Sequence, residues 1–224
     1  MNREVTRFLG FLAAVAALGL VIAVFGTRLL GSAAGPDGAI ITRLKKLERD
    51  GVEQELPWAR MLGPRLQFER ISVVLDADGK GATVSSTLDF TGELRRPGLS
   101  QTTRVSSLGL ERARYLLKDG EWEAQGTDFP RLITILEALE RRRLALERGE
   151  HLTDGGVPWE GVSERNYQSL AWYIRSERED VLVSEDFRFQ GRAPDRPVDE
   201  KATRRLSLQE DPGSGLFSFP DGIL

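Results

Sequence analysis

The 224-residue chain contains no cysteine and only one histidine, His151. Without cysteine it can form no disulfide, no thiolate metal site and no cysteine nucleophile. A Ser-His-Asp mechanism or a zinc site would depend on His151 for its only imidazole, and no Gly-x-Ser-x-Gly nucleophile elbow is present. P-loop and dinucleotide-binding glycine patterns are absent from the sequence as well. The sequence therefore predicts neither a metal nor a cofactor.

The chain also lacks an excess of charge of one sign. It has 31 Lys and Arg against 34 Asp and Glu, for a net charge of −3, and the two signs are interspersed. This distribution offers no basic footprint, so nucleic acid is excluded from the expected partners. Arginine greatly outnumbers lysine, which is typical of a GC-rich bacterial genome and indicates a bacterial protein.

One long uncharged run extends from Phe8 to Phe25 and reads FLGFLAAVAALGLVIAVF. As a helix, this run would measure about 27 Å, close to the hydrocarbon thickness of about 30 Å. It predicts an N-terminal transmembrane helix, a single-pass signal-anchor that would make the membrane one partner. Arg3 and Arg7 precede the run, so the positive-inside rule puts residues 30–224 in the periplasm or outside. The expected location is the inner (cytoplasmic) membrane.

Two other interpretations of this run stay open. A cleaved signal peptide would use Arg3 and Arg7 as its basic start and the small residues Ser32-Ala33-Ala34 as its cleavage site, and the protein would then be secreted. The length of the run and the position of Arg28 before the small residues favour the anchor. The third interpretation is a buried helix of a soluble protein.

Three later segments have the apolar spacing of helices. Residues 39–50 and 132–148 carry apolar residues three and four positions apart, and each segment is followed by a glycine. A further helix is expected from Ser163, which can cap its N-terminus. The buried face of that helix would hold Tyr167, Leu170, Ala171 and Ile174.

Between and after these helices the apolar period changes to two, which predicts strands. The clearest is 82–94, where apolar and polar residues alternate as in a sheet with one packed and one wet face. The segment 57–64 is expected to be a short helical turn or loop. The other expected strands are 68–75, 103–117, 122–126, 181–190, 202–209 and 216–219.

Together these elements predict an α+β fold, in which an N-terminal transmembrane helix precedes helices packed on curved antiparallel sheets. A helix followed by strands occurs twice, so two tandem helix-plus-sheet units are also expected. The corresponding boundaries are an anchor at 1–30, a linker at 31–38 and two units at 39–129 and 130–224.

The residues from Tyr115 to Trp122, YLLKDGEW, resemble the last hairpin of many NTF2-like and cystatin-like domains, often written Y-x-L-x-x-D-G-x-W. A helix followed by a curved sheet is also the order of elements in that superfamily. The resemblance covers this hairpin and the general plan of the rest. It implies a function among isomerases and dehydratases, small-molecule binders and membrane-anchored scaffold subunits of secretion systems, because membership of a fold does not choose between them.

Few side chains offer candidate chemistry. Asp89, Tyr115 and Asp119 are the candidates for carboxylate acid–base catalysis in a sheet-lined pocket, where burial would raise the pKa of a carboxyl group. Alternation puts Asp89 on the wet face, and Asp119 lies in a turn, so both positions argue against catalysis. The triplet Arg141, Arg142 and Arg143 is a candidate contact for a partner or an anion, although such triplets are more often solvated helix faces.

These observations predict a non-catalytic binding or scaffold protein of the bacterial envelope, with other envelope proteins as its partners. The alternative is a pocket protein of NTF2-like fold that binds a small apolar molecule or acts on it as an isomerase or dehydratase. That alternative requires an apolar cavity in the concavity of the sheet, with a carboxylate pointing into it. A filled concavity would favour the binding protein.

Overall fold

The computed structural model describes residues 35–51, 54–148, 161–178 and 180–219. Strands account for 59% of these residues and helices for 20%. The two helices are α1 (Pro36–Asp50) and α2 (Pro130–Arg148). The strands are β1 (Gln54–Leu56), β2 (Ala59–Leu75), β3 (Gly81–Arg95), β4 (Thr102–Lys118), β5 (Glu121–Ala124), β6 (Ser163–Glu177), β7 (Asp180–Arg192), β8 (Pro197–Glu210) and β9 (Phe217–Ser218).

All nine described strands belong to one sheet, in the order β1-β2-β3-β4-β6-β7-β8-β9, with β5 paired to β4. Each neighbouring pair is antiparallel except β4 and β6, which are parallel. Tight turns join the hairpins, and Gly79 and Gly120 take positive φ angles of 67° and 85° in two of them. Glycine suits these positions because it has no Cβ to clash in the left-handed region.

The order of elements repeats along the chain. Three long strands and a short one follow α1 as β2 to β5, and the same series follows α2 as β6 to β9. We call β1 to β5 the first half of the sheet and β6 to β9 the second half. The chain between the halves includes α2, which gives β4 and β6 the long crossover that parallel neighbours require.

The expected helix at 39–50 is present as α1 and begins earlier, at Pro36. Proline is tolerated at the first helical position because its fixed φ suits a helix and its missing N–H needs no partner there. The start of α1 therefore overlaps the linker expected at 31–38. The chain divides into two compact units inside this helix, Met1–Arg43 and Leu44–Leu224.

In the larger unit, the second part of α1 is bonded to the backbone of β2. Lys45 Nζ donates to the carbonyl of Phe68 at 3.0 Å, and the N–H of Phe68 donates to Glu48 Oε1 at 2.5 Å. Leu44 and Phe68 are both 1% exposed. Hydrogen bonds therefore connect this turn of α1 to β2 of the first half of the sheet.

The helix expected at 132–148 is also present, as α2, and it contacts β4, β6 and β9. Its predicted apolar stripe is buried, from Leu132 at the start to Leu146 near the end. The alternation predicted over 82–94 is confirmed too, since Val84, Leu88 and Phe90 are buried while the odd-numbered residues between them are less so. We call the face of the sheet that α2 covers the inner face, and the opposite one the open face.

The helix expected from Ser163 is wrong, because Ser163–Glu177 is strand β6. A register shift between Ser169 and Ala171 moves the buried side chains along by one position. Tyr167, Ala171 and Ile174 are therefore all buried at spacings of four and three. A bulged strand imitates the periodicity of a helix in this way.

The segment 57–64 also differs from its predicted structure. Residues 57 and 58 form the turn between β1 and β2, and β2 already begins at Ala59. Gly63, with φ of 55°, and Pro64 lie inside this strand, at an irregularity between Leu62 and Arg65. The glycine and the proline suggested a break because they mark turns, whereas here they mark a bulge near a sheet edge.

The predicted fold class is therefore wrong, since the described residues form mostly a curled β-sheet with two helices. The expected helical content is too high because the register shift in β6 gives this strand the apolar spacing of a helix. Neither helix of the described residues combines the length and apolar character needed to cross a membrane. This finding contradicts the predicted single-pass transmembrane signal-anchor, while the run from Phe8 to Phe25 itself lies outside the described residues.

Candidate functional site

A buried cluster of charges joins α2 to the second half of the sheet. Glu185 of β7 is 2% exposed and accepts hydrogen bonds from Ser169 Oγ (2.5 Å), Trp172 Nε1 (3.1 Å) and Arg204 Nε (2.8 Å). A guanidinium nitrogen of Arg142, on α2, lies 3.6 Å from the same carboxylate. Burial alone would raise the pKa of Glu185, but the two arginine charges and the hydrogen bonds outweigh it and lower that pKa.

A second buried carboxylate, that of Glu140 on α2, connects the helix to the first half of the sheet. It accepts a hydrogen bond at 2.8 Å from Nε of Arg96, which follows β3 directly in the sequence. Nε of Arg143 donates to both of its oxygens, at 3.0 and 3.1 Å. The same arginine also pairs with Glu147, while Arg96 donates to Thr103 Oγ1. Glu140 therefore bridges elements from different parts of the chain.

The third buried carboxylate, Glu111 of β4, lies at the N-terminus of α2. It accepts hydrogen bonds from the backbone N–H groups of Leu132 (2.6 Å) and Arg131 (3.1 Å). These are N–H groups that a helix cannot satisfy within itself. Glu111 is 3% exposed, and burial raises its pKa to about 8 because the hydrogen bonds and nearby charge offset it only in part.

All three inward carboxylates thus point at donors of the protein itself. The large side chains that are almost completely buried in the described chain include Trp172, Tyr115, Tyr167, Phe90, Phe129 and Phe189. A small-molecule pocket of the kind considered above needs an apolar cavity with a carboxylate directed into it. The three carboxylates are instead bonded to donors of the chain.

The three candidates for acid–base catalysis do not lie at one site. Asp89 is exposed on the open face, whereas Tyr115 is completely buried on the inner face. The Tyr115 hydroxyl donates to Asp128 Oδ1 at 2.6 Å. Asp119 lies in the turn between β4 and β5, where its φ is 51°. His151, the only histidine, lies outside the described residues.

The arginine triplet on α2 is divided between solvent and interior. Arg141 is exposed and lines a groove of 480 Å³ beside Leu144 and Leu216. Arg142 and Arg143 are only 2% and 5% exposed and take part in the buried clusters described above. Of the three, Arg141 is therefore the one that a partner or an anion could reach.

The open face carries a cluster of exposed apolar side chains. Leu108 of β4, Tyr173 of β6 and Leu182 of β7 are 49%, 44% and 60% exposed. They lie on three neighbouring strands, because Leu108 is in register with Arg175, and Arg175 is in register with Leu182. We call these three side chains the open-face patch.

A groove of 610 Å³ runs over this patch. Asp89 and Ser106 line it from the first half of the sheet, and Arg175 and Arg205 line it from the second. A smaller groove of 320 Å³ on the same face contains Arg104 beside Tyr173. Among the described residues, none forms an ion pair with these three arginines, so their charges face the solvent.

The sequence did not reveal the open-face patch. Tyr173 fell in the segment expected to be helical, so its position on a wet sheet face was not recognised. Leu182 belongs to the run Val181-Leu182-Val183, in which every residue is apolar. Only pairing with the neighbouring strands decides that Leu182 faces outward while the two valines are buried.

Comparison of the chain with protein-family models, with curated proteins and with solved structures found no match. The resemblance of residues 115–122 to the NTF2-like and cystatin-like superfamily therefore stays a prediction. These residues do form the hairpin of β4 and β5, with Leu117 opposite Trp122. Any assignment of function has to come from the chemistry of the described surfaces.

Proposed function

We propose that this chain is a non-catalytic binding or scaffold protein and that its open-face patch contacts a partner protein. The observation that carries this proposal is the exposure of Leu108, Tyr173 and Leu182 on three neighbouring strands. Contiguous apolar side chains at a protein surface commonly mark an interaction site, because leaving them in water is unfavourable.

The side chains around the patch support a protein partner of acidic character. Arg104 and Arg175 flank Tyr173 in the two grooves. Tyrosine and arginine are the residue types that most often dominate binding energy at interfaces. Two guanidinium groups beside an apolar centre suit a partner that presents an apolar side chain flanked by carboxylates.

The inner face supports the non-catalytic part of the proposal. Glu111, Glu140 and Glu185 are the described carboxylates at the interior of the sheet, and each is bonded to donors of the chain. A general acid or base has to reach a substrate atom through a hydrogen bond or one water molecule. The location outside the cytoplasm and partners within the envelope stay predictions, since they depend on residues outside the described ranges.

The proposal can be tested by purifying the chain from its native cells with whatever protein remains bound. The bound protein is identified by mass spectrometry, purified separately and titrated against the chain. In the double variant Tyr173→Ala and Leu182→Ala, we expect at least a tenfold loss of affinity, because two central apolar contacts are removed. Arg175→Glu should weaken binding further as the salt concentration is lowered, since it reverses the attraction to an acidic partner.

Val74 provides a matched control, because it is an apolar strand residue with 63% exposure outside the patch. Val74→Ala should leave the affinity unchanged. A partner that binds the double variant as tightly as the original chain would contradict the proposal. Recovery of the chain always alone, under conditions that preserve other complexes from the same cells, would also count against it.

A further inference from the structure

The long strands nearest the two edges of the sheet, β2 and β8, differ in how well they could accept another strand. On the first-half side, β2 is interrupted by irregularities between Leu62 and Arg65 and between Glu69 and Ser72. Such bulges twist an edge and protect it from pairing. On the second-half side, β8 pairs with β7 in thirteen consecutive steps, from Asp180↔Gln209 to Arg192↔Pro197, without a shift.

Along most of its length, β8 has a neighbour among the described strands on one side only. Among the described strands, β9 pairs with β8 at Gln209 and Glu210 alone, so residues 197–208 form a free edge. Unpaired backbone N–H and C=O groups on such an edge are a template for another strand. The edge is long, regular and not covered by either described helix.

The hydrogen bonds at the ends of β8 show which backbone groups point outward. In the β7–β8 turn, the N–H of Ala193 donates to the carbonyl of Arg196 at 2.9 Å. Hydrogen-bonded pairs alternate along an antiparallel ladder, so even-numbered residues of β8 bond to β7. In agreement with this, the N–H of the odd-numbered Asp211 donates to the carbonyl of Leu216, on the side of β8 that faces β9. Residues 199, 201, 203, 205 and 207 therefore present their N–H and C=O groups at the free edge.

The sequence of this edge is complementary to itself. When two copies are aligned antiparallel about Ala202, Asp199 of one lies opposite Arg205 of the other. Glu200 lies opposite Arg204, which also bonds Glu185 within its own chain. Val198 then lies opposite Leu206, and Lys201 lies opposite Thr203. Opposite charges and paired apolar side chains across strands stabilise a sheet, whereas like charges destabilise it. The small side chain of Ala202 would meet its own copy at the two-fold axis.

This alignment also gives hydrogen-bond partners to the outward backbone N–H and C=O groups. The pairs 199↔205 and 201↔203 join residues of the odd-numbered set, whose N–H and C=O groups face outward, as a hydrogen-bonded antiparallel pair requires. An isologous contact of this kind closes on itself and yields a dimer rather than a fibre. We propose that residues 198–206 of two copies pair antiparallel about Ala202, joining two sheets into one continuous sheet.

Charge exchange tests the register directly in the full-length chain, kept in a mild non-ionic detergent because of its apolar run. The two-fold symmetric dimer contains the 199↔205 pair two times. Asp199→Arg makes both pairs arginine against arginine, and Arg205→Asp makes both pairs aspartate against aspartate. Each variant alone should dissociate at least tenfold more readily than the original chain in analytical ultracentrifugation. A mixture of the two variants should restore association, because both cross-strand pairs then have opposite charges.

The absence of native cysteine allows a second, independent test. In an Ala202→Cys variant the two Cα atoms would be about 4.5 Å apart across the non-hydrogen-bonded pair. This distance lies within the disulfide range of about 4.4–6.8 Å. Mild oxidation should therefore cross-link this variant to a dimer. Ser72→Cys, an exposed position on β2, is the matched control and should remain uncross-linked.

A proline on the edge separates strand pairing from any other contact. Lys201→Pro removes an outward N–H without touching the β7 ladder, so it should abolish cross-linking of Ala202→Cys, whereas Lys201→Ala should not. Circular dichroism checks that each variant is folded, because Asp199 also bonds Arg188 within the same chain. If Asp199→Arg fails to fold, the proline and cysteine variants decide the question.

A chain that sediments as a monomer at high concentration and leaves Ala202→Cys uncross-linked would overturn the inference. A dimer whose dissociation is unchanged by the charge exchange and by Lys201→Pro would overturn the inference as well, since such a dimer uses another surface. Leu108, Tyr173 and Leu182 of the open-face patch lie on β4, β6 and β7, and the variants Ala202→Cys and Lys201→Pro leave the groove residue Arg205 unchanged. The two proposals can therefore fail separately.

Discussion

Each half of the sheet buries a glutamate beneath α2, and the two carboxyl groups are held in opposite ways. Glu111 in the first half is 3% exposed and accepts two backbone N–H groups, whereas Glu185 in the second half is 2% exposed and has two arginines beside it. Burial is similar, yet the pKa of Glu111 is raised and that of Glu185 is lowered. At these two positions, nearby cations rather than the depth of burial therefore decide the charge of the carboxyl group.

The central strands of the two halves show the same contrast. Both β3 and β7 contain an uninterrupted run of five alternate buried residues, at 82–90 and 181–189, and in each run the middle residue is polar: Ser86 in β3 and Glu185 in β7. Ser86 lies opposite Glu111, and Glu185 lies opposite Arg204. The same backbone plan therefore accommodates a neutral and an ionic arrangement at its centre, and the ionic one should tolerate substitution less well.

The largest expected effect comes from removing the ionic arrangement. Glu185→Ala should lower the free energy of unfolding by about 3–5 kcal/mol, because Arg142 and Arg204 lose their shared buried carboxylate. Ser86→Ala, at the matching position of β3, should cost no more than about 1 kcal/mol. Urea unfolding of both variants measures the difference, and equal costs would show that the two halves do not differ in this way.

The next largest effect is a dependence of stability on pH that belongs to Glu111. Its pKa rises from 4.5 in the ordinary state to about 8 in the folded chain, so the folded state holds a proton that the unfolded state releases between these values. The free energy of unfolding should then fall as pH rises from 5 to 8, by up to about 1.4 kcal/mol per pH unit.

Glu111→Gln should remove most of this slope, because the amide cannot titrate. The difference between the variant and the original chain cancels the contributions of the other titrating groups. Glu185, whose pKa is lowered, should have the opposite behaviour, with its stabilisation present above the ordinary pKa and lost as the solution becomes more acidic. Parallel stability curves for Glu111→Gln and the original chain would disprove the assigned shift.

Replacing Glu140 should destabilise the chain less than replacing Glu185. Glu140→Ala removes a carboxylate from Arg96 and Arg143, but these arginines keep bonds to Thr103 and Glu147. We expect a loss of about 2–3 kcal/mol in urea unfolding, which is smaller than that of Glu185→Ala. If Glu140→Ala lowers the free energy of unfolding more than Glu185→Ala does, the bonds from α2 to the first half of the sheet contribute more to stability than those to the second half.

The smallest expected effect concerns the open face. Leu182→Ala should change the free energy of unfolding by less than about 0.5 kcal/mol, because the side chain is 60% exposed. Thermal unfolding monitored by circular dichroism is sufficient to test this. A clear loss of stability would show that Leu182 supports the fold, and the binding experiments on the patch would then need variants at Tyr173 alone.

Local patterns predicted the elements whose periodicity is undisturbed. Alternation over 82–94 correctly identified β3, and the leucines of 132–148 correctly identified α2. The prediction failed at β6, where the register shift after Ser169 produces a helical spacing in an extended strand. It also missed the buried roles of Arg142 and Arg143, because a run of three arginines looks like a solvated helix face until partners from β7 and from the same helix are known.

The sequence by itself determined which segments alternate, which helix has an apolar stripe and which chemistries are impossible without cysteine. These properties depend on side-chain composition and on the fixed repeats of helix and strand. Only the tertiary structure decided which carboxyl groups meet cations, that β4 runs parallel to β6, and that most of β8 has no second neighbour among the described strands. The Thr103 hydroxyl, for example, donates to the carbonyl of Ser169, sixty-six positions away. Such contacts depend on the folding of distant segments against each other, and no local period encodes them.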